Sequence, residues 1–519
     1  MSGPGTYNFA DIFESVAARV PERTALVCGA ERRSFAELDS RADLLAGWME
    51  RSGVRRDGFV GIALRNGPEY VETTLAAHKL RAVPVNVNYR LRVEELRYLL
   101  HDGPLVGVVH EPELGEPLAE AGAGGSAWLL ARGAGYASAL ASGPPAPRRP
   151  RSGDDLYVLY TGGTTGRPKG VVWRMADALF ACIGGGDPRG DRGPVTAPEQ
   201  LPDRIGEPIT FLPAAPLVHA AGMWTTLRWL FAGSSVVLAP GFDPVAIWVA
   251  VAEQRVSVMN IVGDAMARPL LDTAPPSTPL RVLGSGGATL SPELKAALLG
   301  RFPDLTIKDT FGSSETGVQG WSVHAPGDPT AARFRTVDSV VLDPDTMRPL
   351  PAGATRPGVI ARAGHVPMRY HGDPEASART FREIDGVRHA LTGDLGRIEA
   401  DGTVTVLGRG SQCINTGGEK VFAEEVESVL RAHPDVLDAV VVGLPDPRWG
   451  QAVTAVVSAR PGFAGGDDLR EHCRRRLAGF KVPKRVVRVD EVRRGPAGKP
   501  DYTWASARAR DDLQAGVRP

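Results

Sequence analysis

YTGGTTGRPKG, residues 160–170, is the stretch from which the fold and chemistry of this chain are read. Its glycines let the backbone approach a polyphosphate closely, and its threonine hydroxyls and backbone amides can donate hydrogen bonds to phosphate oxygens. Arg167 and Lys169 add positive charge. The preceding residues 154–160, DDLYVLY, have the apolar character of a buried strand. The sequence therefore predicts a phosphate-binding loop that follows a strand.

A glycine-rich surface hairpin is the plain alternative for this stretch. It does not explain why Pro168 and Lys169 close the glycine-rich run before a new apolar segment, so the phosphate loop is favoured. The loop is not a P-loop of the GxxxxGK[ST] type, because that pattern does not occur here.

Length and charge limit the classes of function. With 519 residues, of which 43% are hydrophobic, the chain is long enough for at least two domains with large cores. Lys plus Arg and Asp plus Glu both number 60, so no overall field attracts nucleic acid or an anionic membrane. Nucleic-acid binding is therefore disfavoured.

Cysteines and the N-terminus indicate the compartment. The four cysteines are far apart and show no CxxC spacing, which favours a reducing cytoplasm. Asp11 and Glu14 stand where a signal peptide would need an apolar core, and no apolar run reaches the length of a membrane span. We expect a soluble, cytoplasmic protein.

The order of segments predicts an α/β fold. Apolar runs such as FVGIAL (59–64), SSVVLAP (234–240) and VSVMNIVG (256–263) alternate with helix-like segments, which is typical of βαβ units and parallel sheets. Residues 184–208 are rich in Gly and Pro and are predicted to be a mobile surface insertion. After residue 408 the pattern changes to a small α+β domain, so we expect domains at 1–408 and 409–519.

A second motif, DTFGSSETG, covers residues 309–317. Phe311 can stack on adenine, Ser314 can donate to an α-phosphate, and Glu315 can hold Mg²⁺. A helix N-cap is the alternative for Ser-Ser-Glu-Thr, and it would be preferred for an isolated match. Upstream, GSGGATLSPEL (284–294) is typical of a strand followed by a helix that Ser291 caps.

In this order the motifs resemble those of the acyl-activating, adenylate-forming superfamily, which includes acyl-CoA synthetases, luciferases and peptide-synthetase adenylation domains. DTFGSSETG is similar to the family's aromatic-Gly-x-Thr-Glu motif, with Ser314 in place of the usual Thr. With GRGSQCINTGGEKVF (408–422) and the loop around Lys499, the resemblance covers nearly the whole chain. It implies a large N-terminal domain of stacked α/β subdomains with a small β-barrel part, and a small mobile α+β C-terminal lid.

The resemblance also implies roles for individual residues. It implies ATP binding by Thr161, Gly162, Gly163, Thr164, Thr165, Gly166, Lys169, Gly286, Gly287, Ala288, Asp309, Thr310, Phe311, Gly312, Ser314, Asp394, Arg409 and Lys499. Catalytic roles fall to Lys499, Thr161, Glu315 and His219, with Glu315 as the Mg²⁺ ligand. The acid pocket would include His219, Met223, Gly263, Gly284 and Phe311, and the CoA channel Gly417, Gly418 and Glu419, with Ser411 as the hinge.

The implied reaction has two halves. A carboxylate attacks the α-phosphate of MgATP to give an acyl-adenylate and pyrophosphate; the lid then rotates, and the CoA thiol displaces AMP. Three details depart from the family pattern: Ser411 at the hinge, Ala423 in place of a common proline, and a degenerate lead before Lys499. They leave the kinetics of lid rotation open.

Substrate and acceptor stay less defined. IVGDAMARPL (261–270) and CINTGGEKVF (413–422) resemble the actinobacterial fatty-acyl and steroid-side-chain acyl-CoA synthetase branch. Small residues in the pocket favour a bulky or long apolar acid over acetate, while an aryl acid stays open. Relatives in the superfamily also use a carrier-protein thiol or an amine as acceptor, or activate nitrite to diazotise an aryl amine. The sequence leaves both a monomer and a homodimer open, and a protein that only binds nucleotide is disfavoured because Glu315 and Lys499 are both present.

Overall fold

The computed structural model describes residues 5–515 with several short gaps. The residues within this range that it does not describe are Arg92, Pro104, Gly124, Ser126, 162–167, 329–332, 410–412, 417–418, 447–449, Ala464, Ala478 and 496–497. Only the backbone is described at Arg409, Cys413, Asn415, 419–420 and 514–515. Across the described ranges, every helix is too short or too polar to cross a membrane.

Strands and helices alternate over most of the chain. The strands are β1 (Thr24–Cys28), β2 (Glu31–Ser34), β3 (Phe59–Ala63), β4 (Val83–Asn86), β5 (Leu105–His110), β6 (Trp128–Ala131), β7 (Leu156–Thr161), β8 (Lys169–Arg174), β9 (Thr210–Pro213), β10 (Ser235–Val237), β11 (Val258–Ile261), β12 (Val282–Gly286), β13 (Thr306–Ser313), β14 (Gly317–His324), β15 (Arg333–Thr336), β16 (Ser339–Leu342), β17 (Gly358–Ala363), β18 (Arg369–Tyr370), β19 (Phe381–Ile384), β20 (Val387–Ile398), β21 (Val404–Arg409), β22 (Cys413–Thr416), β23 (Glu419–Phe422), β24 (Val436–Asp446), β25 (Gly450–Ala459) and β26 (Arg485–Val489).

The helices are α1 (Phe9–Arg19), α2 (Phe35–Arg51), α3 (Pro68–Lys79), α4 (Val93–Asp102), α5 (Gly115–Glu120), α6 (Ala134–Ala141), α7 (Met175–Ala178), α8 (Ala220–Phe231), α9 (Pro244–Glu253), α10 (Gly263–Asp272), α11 (Pro292–Arg301), α12 (Pro374–Thr380), α13 (Ala423–Arg431), α14 (Gly466–Arg474) and α15 (Tyr502–Ala515). Short 3₁₀ turns occur at Pro112–Leu114, Pro198–Arg204 and Gly479–Lys481, and a π turn at Leu179–Ile183.

Two of the sheets carry the predicted parallel strands. The first has the order β4-β3-β5-β6, all parallel. The second has 14 strands, and its central members β10, β9, β11, β12 and β13 pair parallel with one another in that order. FVGIAL, SSVVLAP and VSVMNIVG form β3, β10 and β11, so the α/β prediction is confirmed. Every residue of β3 is buried, as expected of a parallel sheet covered on both faces.

Antiparallel strands extend the large sheet beyond β14. Here the order is β16-β17-β20-β21-β15, around a small core of Val341, Ile360 and Val404. The resemblance implies a small barrel part in the N-terminal domain, and this antiparallel unit is our candidate for it.

A third sheet, of order β18-β8-β7, carries the predicted phosphate loop. The predicted strand at 154–160 is confirmed as β7, and β7 and β8 pair antiparallel with Thr161 opposite Lys169. β7 and β8 are therefore the arms of a hairpin, so the two interpretations of this stretch do not exclude each other. Residues 162–167 themselves lie outside the described residues.

The segment after residue 412 forms its own five-stranded sheet, β23-β22-β25-β24 with β26 beside β25. Helices α13, α14 and α15 pack on it around two apolar cores. β21 still belongs to the large sheet and β22 to the small one. The last strand of the large sheet thus ends at Arg409 and the first strand of the small sheet begins at Cys413, next to the predicted boundary at 408/409, which stays a prediction.

The prediction of a mobile insertion at residues 184–208 is wrong. Val195 and Leu201 are buried in the largest core cluster. The carboxylate of Asp187 accepts hydrogen bonds from four backbone amides, those of residues 190–193, at 2.7–3.3 Å. Glycine and proline content suggested an open loop, whereas this segment is held by one carboxylate and two apolar side chains.

A buried charge network joins the N-terminal helix to the start of β7. Glu14 in α1 accepts from Lys79 of α3 at 2.8 Å and from Arg151 at 2.9 Å. Burial alone would raise the pKa of Glu14, but the hydrogen bonds and charges of Arg151 and Lys79 outweigh it and lower the pKa to about 2. Asp155, four residues after Arg151, accepts hydrogen bonds from Arg81 and from Asn8. The network thereby fixes the strand that leads into the phosphate loop.

We expect Glu14→Gln to lower the free energy of unfolding by about 3 kcal/mol at pH 7, because it leaves two buried cations short of a partner. Folding lowers the pKa of Glu14 from 4.5 to about 2. The contribution of Glu14 to the free energy of unfolding is therefore complete above pH 4.5 and is lost as the pH falls towards 2. Chemical denaturation of both proteins across this range measures the difference. Glu113→Gln, in the exposed pair with Arg65, is the matched control and should change stability little. An equal effect of both substitutions would contradict the role of the network.

Candidate active site

The phosphate-loop hairpin and the DTFGSSETG motif lie against each other. The indole Nε1 of Trp173, in β8, donates to the backbone oxygen of Ser314 at 3.0 Å. The Tyr370 hydroxyl, from β18, donates to Glu315 Oε1 at 3.1 Å. Trp173 is fully buried. Two motifs about 140 residues apart are thus joined in one site, as both the phosphate assignment and the Mg²⁺ assignment require.

Glu315 lies in a hairpin turn between β13 and β14, where Ser313 faces Gly317. Ser313 N donates to Thr316 Oγ1 at 2.9 Å, which closes the turn. The helix N-cap alternative for Ser-Ser-Glu-Thr is therefore wrong here. Gly317 has a φ of +64°, and a Cβ atom there would lie 2.5 Å from the Ala181 carbonyl oxygen. Only glycine fits this position, so the turn is fixed against the π turn.

Lys169, the cation that closes the phosphate loop, has two partners from the segment around β18. Its Nζ lies 2.9 Å from Asp373 Oδ2 and 5.1 Å from the centre of the Tyr370 ring. A hydrogen bond from the Ala376 amide and, next, one from Lys169 lower the pKa of Asp373. Both members of this ion pair are about 40% exposed. Such a pair is weak, so a phosphate can take the place of Asp373 on Lys169.

Asn86, at the end of β4, is a site residue that the sequence motifs did not indicate. Its Oδ1 accepts from Tyr160 N at 2.7 Å, and its Nδ2 donates to Tyr160 O and to Val218 O, each at 2.8 Å. One side chain thus holds both the strand that enters the phosphate loop and the residue before His219. The signal available in the sequence was an asparagine at the carboxyl end of a parallel strand, where ligand sites of α/β sheets gather.

His219 occupies the N-cap position of α8, and its side chain is half-buried. Gly222, one turn further, lets the helix approach the chain before it: a Cβ there would lie 2.3 Å from Pro216 O. Met223 is buried in the core cluster beside this turn. Of the predicted pocket residues, His219 and Met223 therefore share the first turn of one helix.

The glycine-rich strand end is β12, followed by a turn and α11. Gly286 ends the strand opposite Thr310, and Gly287 has a φ of +83° that favours glycine. Ala288 follows in the turn. Ser291 is the N-cap of α11 with Pro292 at the first helical position, as predicted, but its hydroxyl makes no capping hydrogen bond.

Gly263 begins α10, and a Cβ atom there would lie 2.4 Å from Thr289 O. It thus packs tightly against the turn after β12, while Gly284, in the middle of β12, lies beside Asn260. The two glycines assigned to the acid pocket therefore occupy different surroundings.

Asp309 and Phe311 extend from β13. Asp309 is buried and its Oδ2 lies 2.6 Å from the Nζ of Lys295, which is fully buried in α11. Burial, the largest effect, raises the pKa of Asp309 although Lys295 acts in the opposite direction. The Phe311 ring packs on Phe334 at a centroid distance of 5.8 Å, and Gly312 follows where no Cβ fits against Gly317 O. Asp309 thus already has a protein partner, and its contact with ATP stays a prediction.

Asp394 and Arg409, predicted to contact a ribose, are direct partners across β20 and β21. Asp394 is buried and accepts from the Thr392 hydroxyl at 2.5 Å. Lys499 lies in the loop before α15, where Gly495 N donates to the Lys499 carbonyl at 2.8 Å. The predicted residues that lie outside the described residues are Gly162, Gly163, Thr164, Thr165, Gly166, Ser411, Gly417 and Gly418, and only the backbone is described at Glu419.

Comparison with known proteins agrees with these motifs. The sequence profile of the AMP-binding enzyme family matches residues 13–370, and that of the AMP-binding enzyme C-terminal domain matches residues 425–499. A medium/long-chain-fatty-acid–CoA/3-oxocholest-4-en-26-oate–CoA ligase of Mycobacterium tuberculosis is 41% identical, with 98% of each chain covered. A 3-oxocholest-4-en-26-oate–CoA ligase of Rhodococcus rhodochrous is 39% identical, with 99% of this chain and 96% of the relative covered.

A solved structure shares the whole fold. ATP-bound MatB from Rhodopseudomonas palustris superposes with a TM-score of 0.82 at 26% identity, covering 97% of this chain and 99% of MatB. The predicted fold class, a large N-terminal α/β domain with a small C-terminal domain, is thereby confirmed.

We expect Asn86→Ala to slow pyrophosphate release about 10²-fold, because small displacements of a positioning element have effects of this size. The substitution removes three hydrogen bonds that hold Tyr160 and Val218. Initial rates with ATP and a saturating acid measure the effect, and circular dichroism checks the fold. Asn88→Ala is the matched control, because Asn88 Oδ1 accepts a local hydrogen bond from the Arg90 amide, two residues away. A wild-type rate for Asn86→Ala would remove Asn86 from the positioning of the site.

Proposed function

The chain belongs to the AMP-binding enzyme family and is an ATP-dependent acyl-CoA synthetase, and we propose that its acid is a medium- or long-chain fatty acid or a steroid side-chain acid. The relatives at 39–41% identity over nearly the whole chain are named as ligases of such acids, which supports the proposal. A feruloyl-CoA synthase of Amycolatopsis, with an aryl acid in its name, is less similar at 32% identity.

The observation that carries the chemistry is the contact between the β7–β8 hairpin and the Glu315 turn. This contact supports the proposal because Tyr370 lies against both Glu315 and Lys169, the residues to which we assign Mg²⁺ and phosphate binding. Glu315 Oε1 accepts from Tyr370, whereas Oε2 has no hydrogen-bond partner among the described residues. A free carboxylate oxygen next to a phosphate site fits Mg²⁺, which takes few protein ligands and otherwise binds phosphate oxygens and water. Mg²⁺ bound there would neutralise charge on the phosphates.

Adenylation is assigned to residues of both domains. Lys169, released from Asp373, would hold phosphate oxygens together with Thr161, Ser314 and the loop amides. The acid carboxylate would lie near His219 at the N-terminus of α8, where partial positive charge favours an anion. Lys499 would approach from the C-terminal domain and stabilise charge between the carboxylate and the α-phosphate.

Thioester formation is assigned to the same cleft after rotation of the C-terminal domain about Ser411. Gly417, Gly418 and Glu419 would then line the path of the CoA thiol. AMP leaves as the thiol attacks the acyl carbonyl, so one cleft serves two reactions in sequence. The relatives' CoA-ligase names favour CoA over a carrier-protein thiol, an amine or nitrite chemistry.

We also propose a cytoplasmic location. Cys28, Cys182 and Cys473 are free thiols, which supports the reducing compartment indicated by the sequence. Burial raises the pKa of Cys182 well above its ordinary value, so that thiol is unreactive. A homodimer is the quaternary alternative to a monomer, and sedimentation distinguishes the two.

The proposed substrate class is tested with a panel of acids. We expect acyl-CoA products, detected by mass spectrometry. The kcat/KM should be at least about 10-fold higher for dodecanoic acid and a steroid side-chain acid than for acetate or ferulate. Omission of CoA should leave a slow reaction that stalls at the bound adenylate. Turnover of ferulate alone would contradict the substrate class. AMP formation that depends on an amine or nitrite, with no thioester from any acid, would contradict the acceptor.

Lys499→Ala separates the two half-reactions. Adenylation should fall by roughly 10²-fold or more, because one preorganised charge contact is lost. A synthetic acyl-adenylate plus CoA should still give thioester at nearly the wild-type rate, since the lysine has left the cleft by then. Lys484→Ala, a lysine of the same domain outside every motif, is the control. Equal loss of both half-reactions in a folded Lys499→Ala protein would contradict the two-state lid.

A further inference from the structure

One face of the large sheet carries a row of residues that runs from the predicted acid pocket to a lysine. Asn260 of β11, Gly284 of β12 and Lys308 of β13 are direct partners across adjacent parallel strands. Side chains at directly opposed positions lie on the same face of a sheet. Asn260 Nδ2 donates to the Ala221 carbonyl of α8 at 3.1 Å, so this row faces α8.

The residues next to this row confirm that it lies on the face of the sheet that is covered by α8. Met259, Leu283 and Ile307, one position earlier on the same three strands, belong to the core on the opposite side of the sheet. Gly284 has no side chain and so leaves a gap between Asn260 and Lys308 in the α8-facing row. The pocket residue predicted from the sequence therefore borders Lys308 directly.

Lys308 has an ammonium group that contacts an aromatic ring rather than a carboxylate. Its Nζ lies 5.0 Å from the centre of the Trp321 ring, and it makes no hydrogen bond or ion pair with any described residue. Burial and, second, the charge of Arg228 lower its pKa to about 8, while Asp187 acts in the opposite direction. A partly buried cation without a hydrogen-bond acceptor is costly to the free protein, and a ligand oxygen would relieve that cost.

The groups around Lys308 add positive rather than negative charge. Arg228 follows Ala221 by seven residues in α8 and so lies on the same side of the helix. Its guanidinium donates to the backbone oxygens of Pro188 and Asp187 at 2.9 and 3.2 Å. The Asp187 carboxylate accepts hydrogen bonds from four backbone amides. Arg335, opposite Trp321 on β15, is exposed and also cationic.

His219 and Arg228, at opposite ends of α8, are well separated. His219 caps α8 and Arg228 lies nine residues later, which corresponds to about 14 Å along the helix. The row past Lys308 ends at Val323, which is 55% exposed, so the far end approaches the protein surface. A molecule with its carboxylate at His219 and a chain of about this length along α8 would place its other end near Arg228, whose charge acts on Lys308.

We propose that Lys308, assisted by Arg228, selects acids that carry an oxygen acceptor at the end far from the reacting carboxylate, either a second carboxylate or a ketone. This inference rests on the proposed function, since it assigns that far end within the same acid pocket. It makes Lys308 a specificity-determining residue, because it would bind the acid without touching the reacting atoms.

The test compares dodecanoic acid, dodecanedioic acid and a methyl-ketone acid of the same length with wild type and Lys308→Met. The readout is the kcat/KM for each functionalised acid divided by that for dodecanoic acid, so that effects on folding and on adenylation cancel. We expect the ratio for at least one functionalised acid to fall about 10-fold or more in Lys308→Met. The acid with the larger fall identifies the preferred end group. Unchanged ratios for both acids would overturn the inference.

The pH dependence gives a second readout. Because Lys308 is charged below pH 8, the ratio for dodecanedioic acid should be high there and fall as the pH rises through about 8. The ketone ratio should change less, since a neutral amine still donates a hydrogen bond. Lys308→Arg keeps the charge at these pH values, so it should preserve the dicarboxylate preference and abolish the fall. An unchanged fall in Lys308→Arg would assign the titration to another group and contradict the proposal.

Direct binding separates this inference from the proposed function. Calorimetry of dodecanedioic acid with wild type and Lys308→Met needs no turnover, and we expect at least about 10-fold weaker binding by the variant. Absence of thioester from every acid, with this difference in binding intact, would reject the synthetase assignment and keep the role of Lys308. Equal binding, with normal turnover of dodecanoic acid, would reject Lys308 and keep the synthetase.

Discussion

Buried peptide groups at the ends of strands need hydrogen-bond partners, and the site depends on how this need is met where three sheets join. The Asn86 side chain accepts a hydrogen bond from the N–H of Tyr160 and donates one to its C=O. Asn66, just after β3, accepts a hydrogen bond from Leu217 N at 2.7 Å. A side-chain amide suits this place because it donates and accepts at once. The phosphate-loop strand and the segment before His219 are therefore positioned by the edge of the first sheet.

A second constraint is steric. Gly222 and Gly317 allow backbone contacts that a Cβ atom would prevent, against Pro216 O and Ala181 O respectively. The first brings the N-terminus of α8 close to the preceding chain, and the second seats the Glu315 turn on the π turn. Together with the Asn86 hydrogen bonds, these contacts fix the Glu315 turn and the strand before the predicted phosphate loop, and such fixed positions are what electrostatic catalysis requires.

Local patterns explain what the sequence could and could not predict. The strand before the phosphate loop was predictable, because an apolar run that ends in glycines has few alternatives. The turn around Glu315 was harder, since Ser-Ser-Glu-Thr suits a helix N-cap and a hairpin turn equally. Asn86 and Tyr370 were missed because their contacts span 74 and 55 residues and belong to no local motif. The segment at 184–208 was misjudged because composition does not reveal the bonds of Asp187.

Burial decides which ion pairs of this protein can exchange partners with a ligand. Lys79 with Glu14, Lys295 with Asp309 and Lys169 with Asp373 have similar N–O distances, 2.6–2.9 Å. The first two are almost inaccessible to water, so breaking either would strand a charge in the interior. The third is about 40% exposed, and water compensates both charges when it opens. Of the three lysines, Lys169 is thus the one whose charge can be given up to a ligand at the lowest cost, which agrees with its predicted role in phosphate binding.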